Sequence, residues 1–302
     1  MPRLLLGTAF RNGWKQFYPE QTYRSAQMAL ESGMRGFDTA VIYRSHRPLG
    51  RVLGTWLASG DLERKHIYLQ TKIFHGPNPL ATDKTCMPNS DDFTPDQVIK
   101  MLSEHFEDAL VDVGVGHFDV VLLHWPGTAN SKDPGNRARR LAAWRVLEKY
   151  YEKEWVRAIG VSNFHEGHLE QLMEDGAKIR PMVNQIEASV YLQWDNIIRY
   201  CKDHQIAIQA YSPMGFGRQD MANDPVLLRV AEKHGKDYGQ VIMRYLLQKG
   251  FDSVVVMSGD REHIHNNQDI FSFELDDDEM KTLSELARSD GTWGMPSPYD
   301  ID

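Results

Sequence analysis

Short apolar runs rich in β-branched residues recur along this chain. Each is followed by a stretch whose apolar positions return every three or four residues, the spacing of a helix face. The runs are Leu4–Thr8, Gly36–Thr39, Ile67–Lys72, Asp119–Trp125, Val156–Ser162, Pro181–Glu187, Ala207–Ser212 and Ser253–Ser258, eight in all. Within the fourth, Val120 to Leu123 are apolar without a break, as in a strand buried on both faces. Of the helical stretches, "PEQTYRSAQMALESG" puts Tyr23, Ala26, Ala29 and Leu30 on one face and stops at Gly33. In "TPDQVIKMLSEHFEDAL", Thr94 suits an N-cap and Pro95 the first helical position, with Val98, Met101, Leu102, His105 and Phe106 along one side.

Strands that alternate with helices pair in parallel through right-handed crossovers. Eight such units predict closure into a (β/α)8 TIM barrel, a single domain over residues 1–302. An open doubly wound sheet would carry a glycine-rich phosphate loop after its first strand. "LLLGTAFRNGW" lacks the G-x-G-x-x-G spacing. Two connections are long, 73–93 after the third strand and 127–136 after the fourth. Both lie on the side where strands lead into helices, so they are expected to overhang a site and shape its pocket, together with the short tail "GTWGMPSPYDID".

Composition narrows the function. With 34 basic against 42 acidic residues the formal charge is −8, which argues against a nucleic-acid surface. Arg137, Arg139 and Arg140 form the densest basic cluster and read as the solvated start of a helix. Cys86 and Cys201 are the only cysteines and lie far apart, so neither a disulfide framework nor a cysteine zinc site is expected; a reducing compartment, the cytoplasm, is. No run approaches the roughly 20 apolar residues of a membrane span, and "MPRLLLGTAF" is too short for a signal-peptide core. His263-x-His265 and His165-x-x-His168 lack metal-site spacing, and no metal is expected. Asp276 to Glu279 fit a helix N-terminus. Trp144, Trp155 and Trp194 read as packing residues, and Trp14 as one that reaches the pocket rim.

The strand ends carry the chemistry. "GFDTAVIY" places Asp38 at the end of the second strand and Tyr43 just beyond it; the third ends at Lys72 and the fourth at His124. The fifth gives Ser162 and Asn163, the sixth Asn184, Gln185 and Glu187, and the seventh Tyr211 and Ser212. Each alone has a structural explanation as a cap, a solvated cation or a satisfied core ring. Their convergence on one rim of a barrel is far harder to explain that way. An ammonium beside a phenol favours the phenolate, a carboxylate keeps the ammonium charged, and an imidazole can hold a carbonyl oxygen. Tyr43 would then be the acid for a carbonyl that takes up a hydride. No side chain donates a hydride, so a cofactor must.

On these residues the chain resembles the aldo-keto reductase superfamily, from "LLLGTAF" to "FELDDDEM". "FDTAVIY", "QTKIF", "LLHWP", "IGVSNF", "VNQIE" and "AYSPMG" are weak singly and specific together. The resemblance implies a barrel that reduces aldehydes and ketones with NADP(H), and a catalytic tetrad of Asp38, Tyr43, Lys72 and His124 with Tyr43 as proton donor. It implies that Thr8 lies by the nicotinamide, that Ser162, Asn163 and Gln185 bind its carboxamide, and that Tyr211 stacks on the ring. Ser212, Met214, Gly215, Arg218, Ser258, His263 and Asn267 follow along the rest of the cofactor, and Phe74 and Trp125 stand as aromatic pocket walls.

The chain departs from the family pattern in three places. Arg44-Ser45-His46 replaces the frequent Gly-Asn-Glu after the tyrosine, and Ala9-Phe10 follows Gly7-Thr8 where a tryptophan is usual. Many members hold the adenosine 2′-phosphate with Pro-Lys-Ser and a following arginine. Here Val256-Met257-Ser258 and His263 stand in those places, which weakens the expected preference for NADPH and admits NAD(H). Arg261, His263 or Arg218 is expected to compensate. The expected partner is a small carbonyl compound, the expected state a monomer or weak dimer. The alternatives are a nicotinamide-binding sensor or accessory subunit on the same barrel, and a lyase that uses Lys72 as a Schiff-base amine.

Overall fold

Parallel strands need a crossover between them, and here every crossover carries a helix. A computed structural model describes residues 1–12, 16–74, 93–127 and 134–288. The strands are β1 Leu4–Gly7, β2 Gly36–Asp38, β3 Tyr68–Ile73, β4 Phe118–Leu123, β5 Val156–Ser162, β6 Val183–Glu187, β7 Ala207–Tyr211 and β8 Ser253–Val256. They form a closed, wholly parallel barrel, each paired with its sequence neighbour. Closure comes from β1, which sets Leu5 beside Val255 on one side and Gly7 beside Asp38 on the other. The eight predicted strands are all present, their ends shifted by at most two residues. Two short antiparallel strands, Arg11–Asn12 and Gln16–Phe17, follow β1.

The helices are α1 Pro19–Glu31, α2 His46–Ser59, α3 Pro95–Val113, α4 Asn136–Glu152, α5 Glu166–Glu174, α6 Asp195–Asp203, α7 Gln219–Ala222, α8 Pro225–His234, α9 Tyr238–Lys249, α10 Arg261–Asn266 and α11 Asp277–Ser284. Their starts follow local chemistry. Thr94 caps α3 by accepting from Gln97 N, with Gln97 returning the bond to Thr94 N. Asp276 and Glu279 form the same box on α11. Among the described residues no helix is long and apolar enough to cross a membrane.

Two layers of side chains follow from strand alternation. Leu69, Val121, Leu123, Ile159, Val161 and Ile186 face outward into one large apolar shell between strands and helices. The opposite parity faces the barrel interior. There Val120, Leu122 and Val183 pack together, and Gly160 is required because a Cβ on it would collide with the Val183 carbonyl oxygen. At the base, Asp119 accepts from Arg64 Nη2 at 2.8 Å and Leu69 N at 2.9 Å, which locks β3 to β4.

One expectation is overturned. Arg139 and Arg140 are not solvated; they are 4% and 1% exposed. The start of α4 lies directly behind the segment leaving β4. Arg140 Nε donates to the Pro126 carbonyl oxygen at 2.7 Å, Nη1 donates to Gln171 Oε1 at 2.9 Å, and the guanidinium lies 5.8 Å from the Phe164 ring centroid. Arg137 alone is the surface arginine of the three, paired with Asp175 and Glu174.

Candidate active site

Asp38, the last residue of β2, and Lys72, the fifth of β3, point into the barrel on neighbouring strands and form a buried ion pair, Lys72 Nζ to Asp38 Oδ1. Lys72 Nζ also lies 3.3 Å from the Thr39 carbonyl oxygen and hydrogen-bonds the Tyr43 side chain, whose ring centroid is 5.2 Å away. Burial works against the ammonium form of Lys72. The Asp38 carboxylate and the Tyr43 phenol outweigh it, so the pKa of Lys72 lies above the ordinary lysine value.

Tyr43 sits not on a strand but on a single 3₁₀ turn, Val41–Tyr43, beyond β2. That turn is closed by hydroxyl groups. Ser45 Oγ meets Thr39 Oγ1 at 2.6 Å and Thr8 Oγ1 at 2.9 Å, while Thr8 Oγ1 donates to the Asp38 carbonyl oxygen at 3.0 Å. Arg44, between Tyr43 and Ser45, takes a left-handed backbone with φ 54°, a conformation that suits glycine better. Thr8, placed at the nicotinamide end by sequence, therefore also holds the loop that carries Tyr43.

His124 completes the group. Its backbone N donates to the Ile73 carbonyl oxygen at 2.9 Å, extending the β3–β4 ladder by one residue. Its ring meets Tyr43 edge-on, centroids 5.7 Å apart at 83°, and meets Phe74 at 6.2 Å and 78°. The four predicted catalytic side chains thus converge at one mouth of the barrel. Phe74 and Trp125 are buried beside them in sequence, 2% and 1% exposed.

Ser162, Asn163 and Gln185 are tied to this group and to one another. Asn163, at φ 63°, donates from Nδ2 to the His124 carbonyl oxygen at 2.9 Å and accepts from Tyr211 OH at 2.8 Å. Ser162 Oγ donates to the Gln185 carbonyl oxygen at 2.8 Å. Gln185 Nε2 donates to Asp38 Oδ2 at 2.9 Å and Gln209 Oε1 at 2.8 Å. Both N–H bonds of Gln185 are used in this way, so what it offers a carboxamide is its carbonyl oxygen, an acceptor for the amide –NH₂. Asn163 Oδ1 is an acceptor of the same kind, and the half-buried Tyr211 ring stands beside it. These side-chain oxygens suit the –NH₂ of a nicotinamide carboxamide.

Farther along, Ser212, Gly215 and Phe216 all have positive φ in the turn after β7, and a Cβ on Gly215 would press on the Arg218 side chain. Met214 packs partly buried against the core. Arg218 pairs with Asp220 at 2.7 Å, which also pairs with Arg288 at 3.0 Å. Beyond β8 the thioether of Met257 is 44% exposed. Arg261 pairs with Glu31 at 2.6 Å; hydrogen bonds from Gln27 and Arg261 hold Glu31 below the usual carboxylate range. Asp260 caps α10 by accepting from His263 N at 3.0 Å, and its own N donates to Ser258 Oγ at 3.1 Å. The His263 imidazole is exposed, and Asn267 ends the helix. Met257 carries no charge, and the Arg261 guanidinium is already paired with Glu31.

Two side chains important to this arrangement, Gln70 and Gln209, carry no signal that the sequence reading uses, while Ser45 and His46 stand out there only as departures from the family pattern and Arg140 only as part of a basic cluster. His46 replaces an acidic residue of the family pattern and is buried, 2.8 Å from Thr71 Oγ1 and edge-on to Phe118 at 5.9 Å. Burial pushes its pKa down to about 4 from 6.5, although Asp112 opposes the shift. Folding therefore carries a neutral His46, whose contribution is complete above pH 6.5 and is lost as pH falls toward 4. The gap corresponds to ~3 kcal/mol. Urea unfolding at pH 7 and pH 4.5 is expected to show a smaller acid loss in His46→Gln than in wild type; equal losses would remove His46 from the account.

The His165 and His168 rings meet at a tilt of 34°, centroids 3.7 Å apart, and serve the start of α5, where His165 Nδ1 accepts from Gly167 N at 3.0 Å. Among the described residues no group of three or more His, Cys, Asp or Glu side chains could hold a metal ion. Cys201 is buried, and burial pushes its thiol up to about 12. Trp144 is buried with its indole N donating to the Ile179 carbonyl oxygen at 2.9 Å, and Trp155 stacks on Tyr150. Trp14, Cys86, most of 73–93 and 127–136, and the tail lie outside the described residues.

Comparison with known proteins places this geometry. The profile of the Aldo/keto reductase family matches residues 3–288. The 9,11-endoperoxide prostaglandin H2 reductase of Trypanosoma cruzi is 31% identical over 300 residues, covering 99% of this chain and 92% of that protein. The glyoxal reductase of Bacillus subtilis is 33% identical over 278 residues, covering 92% and 87%. Among solved structures, an aldo-keto reductase of Bombyx mori in complex with NADP aligns with a TM-score of 0.78 at 25% identity, over 95% of this chain and 89% of that one.

Proposed function

The chain belongs to the Aldo/keto reductase family, and from that premise we propose that it reduces an aldehyde or ketone to the alcohol, with Tyr43 as the proton donor. The observation that carries this reading is the convergence on Lys72 of the Asp38 carboxylate and the Tyr43 phenol, with the His124 ring against Tyr43. A reduced nicotinamide, when bound, supplies the hydride. Ser162, Asn163, Gln185 and Tyr211 would hold its ring and carboxamide. Tyr43 gives its phenolic proton to the carbonyl oxygen as the carbonyl carbon gains the hydride. Lys72 steadies the phenolate left behind, Asp38 keeps Lys72 charged, and the His124 imidazole orients the carbonyl oxygen. Reduction of 4-nitrobenzaldehyde, followed by loss of nicotinamide absorbance, tests the reading. Binding of cofactor without any turnover across an aldehyde and ketone panel would favour a sensor instead.

The cofactor reading follows the charges beyond β8. Arg261 already neutralises Glu31, and Met257 has no charge to give a 2′-phosphate. We expect NADPH and NADH to bind within about tenfold of each other, because one exposed ion pair is worth no more than ~1 kcal/mol. Removing the competing carboxylate in Glu31→Gln should raise NADPH affinity several-fold and leave NADH unchanged. Fluorescence titrations with both cofactors measure this. A hundredfold preference for NADPH that survives changes at Arg261, His263 and Arg218 would overturn it.

A further inference from the structure

Below the ion pair, the barrel interior holds a connected set of side-chain amides, whose lower end, Gln209 Nε2, also reaches Met1 Sδ at 2.8 Å and Tyr68 OH at 3.4 Å. Gln70 Nε2 donates to Asp38 Oδ2 at 2.7 Å and to Gln209 Oε1 at 2.8 Å, and Gln209 Nε2 returns a bond to Gln70 Oε1 at 3.0 Å. Gln185 Nε2 donates to the same two acceptors, Asp38 Oδ2 and Gln209 Oε1. Tyr68 OH donates to Gln70 Oε1 at 2.9 Å. Gln70, Gln185 and Gln209 are each no more than 1% exposed.

The polarity of this set is fixed from one end. A carboxylate can only accept, so the nitrogens of Gln70 and Gln185 must face Asp38. With those nitrogens also turned to Gln209, its oxygen must face them and its nitrogen must face Gln70 Oε1. Each of the three amide nitrogens then has an acceptor and the oxygens of Gln70 and Gln209 have donors, a pairing that rigidifies a buried polar network. Two N–H groups on Oδ2 leave Oδ1 for Lys72 alone.

We propose that Gln70 and Gln209, acting with Gln185, are positioning residues that fix Asp38 as an oriented anion and so keep Lys72 charged beneath Tyr43. The inference rests on the reductase reading for its catalytic consequence only. The titratable groups around Lys72 are Asp38 on β2, Tyr43 on the turn beyond it, Tyr68 low on β3, His46 at the start of α2 and His124 after β4, so the experiment must isolate the amides from all of these.

Gln70→Met removes the amide and keeps the length of the side chain; Gln209→Met does so one step farther from Asp38. Circular dichroism and urea unfolding of the full chain establish that each folds. Lys72 is followed through the carbon resonance of its ε-methylene in lysine-labelled protein without cofactor, assigned by its loss in Lys72→Met. Lys72 should titrate about one pH unit or more lower in Gln70→Met than in wild type, a loss of about tenfold or more in preference for the charged form. The alkaline limb of kcat for 4-nitrobenzaldehyde should move the same way. KM and the Kd for NADH should stay within about threefold, since Gln70 and Gln209 are assigned contact with neither substrate nor cofactor. Gln209→Met should show the same directions with smaller size, and whichever variant folds decides. A Lys72 titration and pH profile that coincide with wild type, whatever the loss of Tm, would reduce the amides to packing. Wild-type protein without aldehyde turnover would refute the reductase reading and leave the titration of Lys72 as a separate answer.

Discussion

Tyr43→Phe is expected to lower kcat for aldehyde reduction by about 10²–10⁴-fold, the usual contribution of a positioned general acid. The change removes one oxygen and leaves the aromatic ring that packs edge-on to His124. Thr8, Thr39 and Ser45 continue to close the turn, so the loop should keep its shape. Ser162, Asn163, Gln185 and Tyr211 are untouched, and the Kd for reduced nicotinamide should therefore remain within about twofold of wild type. Single-turnover kinetics, with cofactor binding measured by fluorescence, separate the two quantities. Turnover near the wild-type rate would show that some other group delivers the proton, and His124 would then be the group to test.

Lys72→Met should lose both activity and stability, and the two losses should come apart in a second variant. Removing the ammonium leaves Asp38 buried without its counter-charge, which typically costs about 3–5 kcal/mol. The amide N–H groups of Gln70 and Gln185 remain on Oδ2 and should hold the loss toward the lower figure. Replacing both charges in Asp38→Asn/Lys72→Met should recover most of that stability, because no buried ion then lacks a partner. Turnover should not recover, since nothing is left to steady the Tyr43 phenolate. Urea unfolding and kcat measured on the wild type and the three variants Lys72→Met, Asp38→Asn and Asp38→Asn/Lys72→Met decide the matter. The pair's contribution should hold across neutral pH. Lys72 has a pKa raised above that of an unfolded lysine, so the stability it brings is complete below the unfolded value and fades as pH climbs through the folded one. Recovery of activity in the double variant would mean that the charges are structural.

The barrel was legible because its signal is repetition. Eight apolar runs separated by helical spacing leave few topologies, and the end of each run is fixed by where polar residues begin. The candidate site is legible for the same reason: Asp38, Lys72 and His124 are ionisable groups at the ends of apolar runs. Tyr43 was reached through its neighbours, since it lies on a turn. The amides were missed although the information was present. Gln70 precedes Lys72 by two residues, and Gln209 precedes Tyr211 by two, so strand alternation alone places each on the inward face below a site residue. A glutamine within a strand carries no charge and was read past. Arg139 and Arg140 were misread for a different reason. A run of arginines at a helix start is solvated unless something covers it, and no local pattern says that the segment after β4 folds back over α4 to offer the Pro126 carbonyl oxygen. Ser45 and His46 stood out only as departures from the family pattern; their roles depend on Thr8 and Thr71, partners supplied by other strands.

The grip of Arg140 on Pro126 separates two demands that selection makes on such an enzyme. The peptide just past the imidazole is anchored from behind by a helix. With that anchor in place, changes in the stretch beyond Gly127 are expected to leave His124 where it is. On the proposed reductase reading, substrate range would be free to drift among descendants of this chain while the reaction is inherited intact.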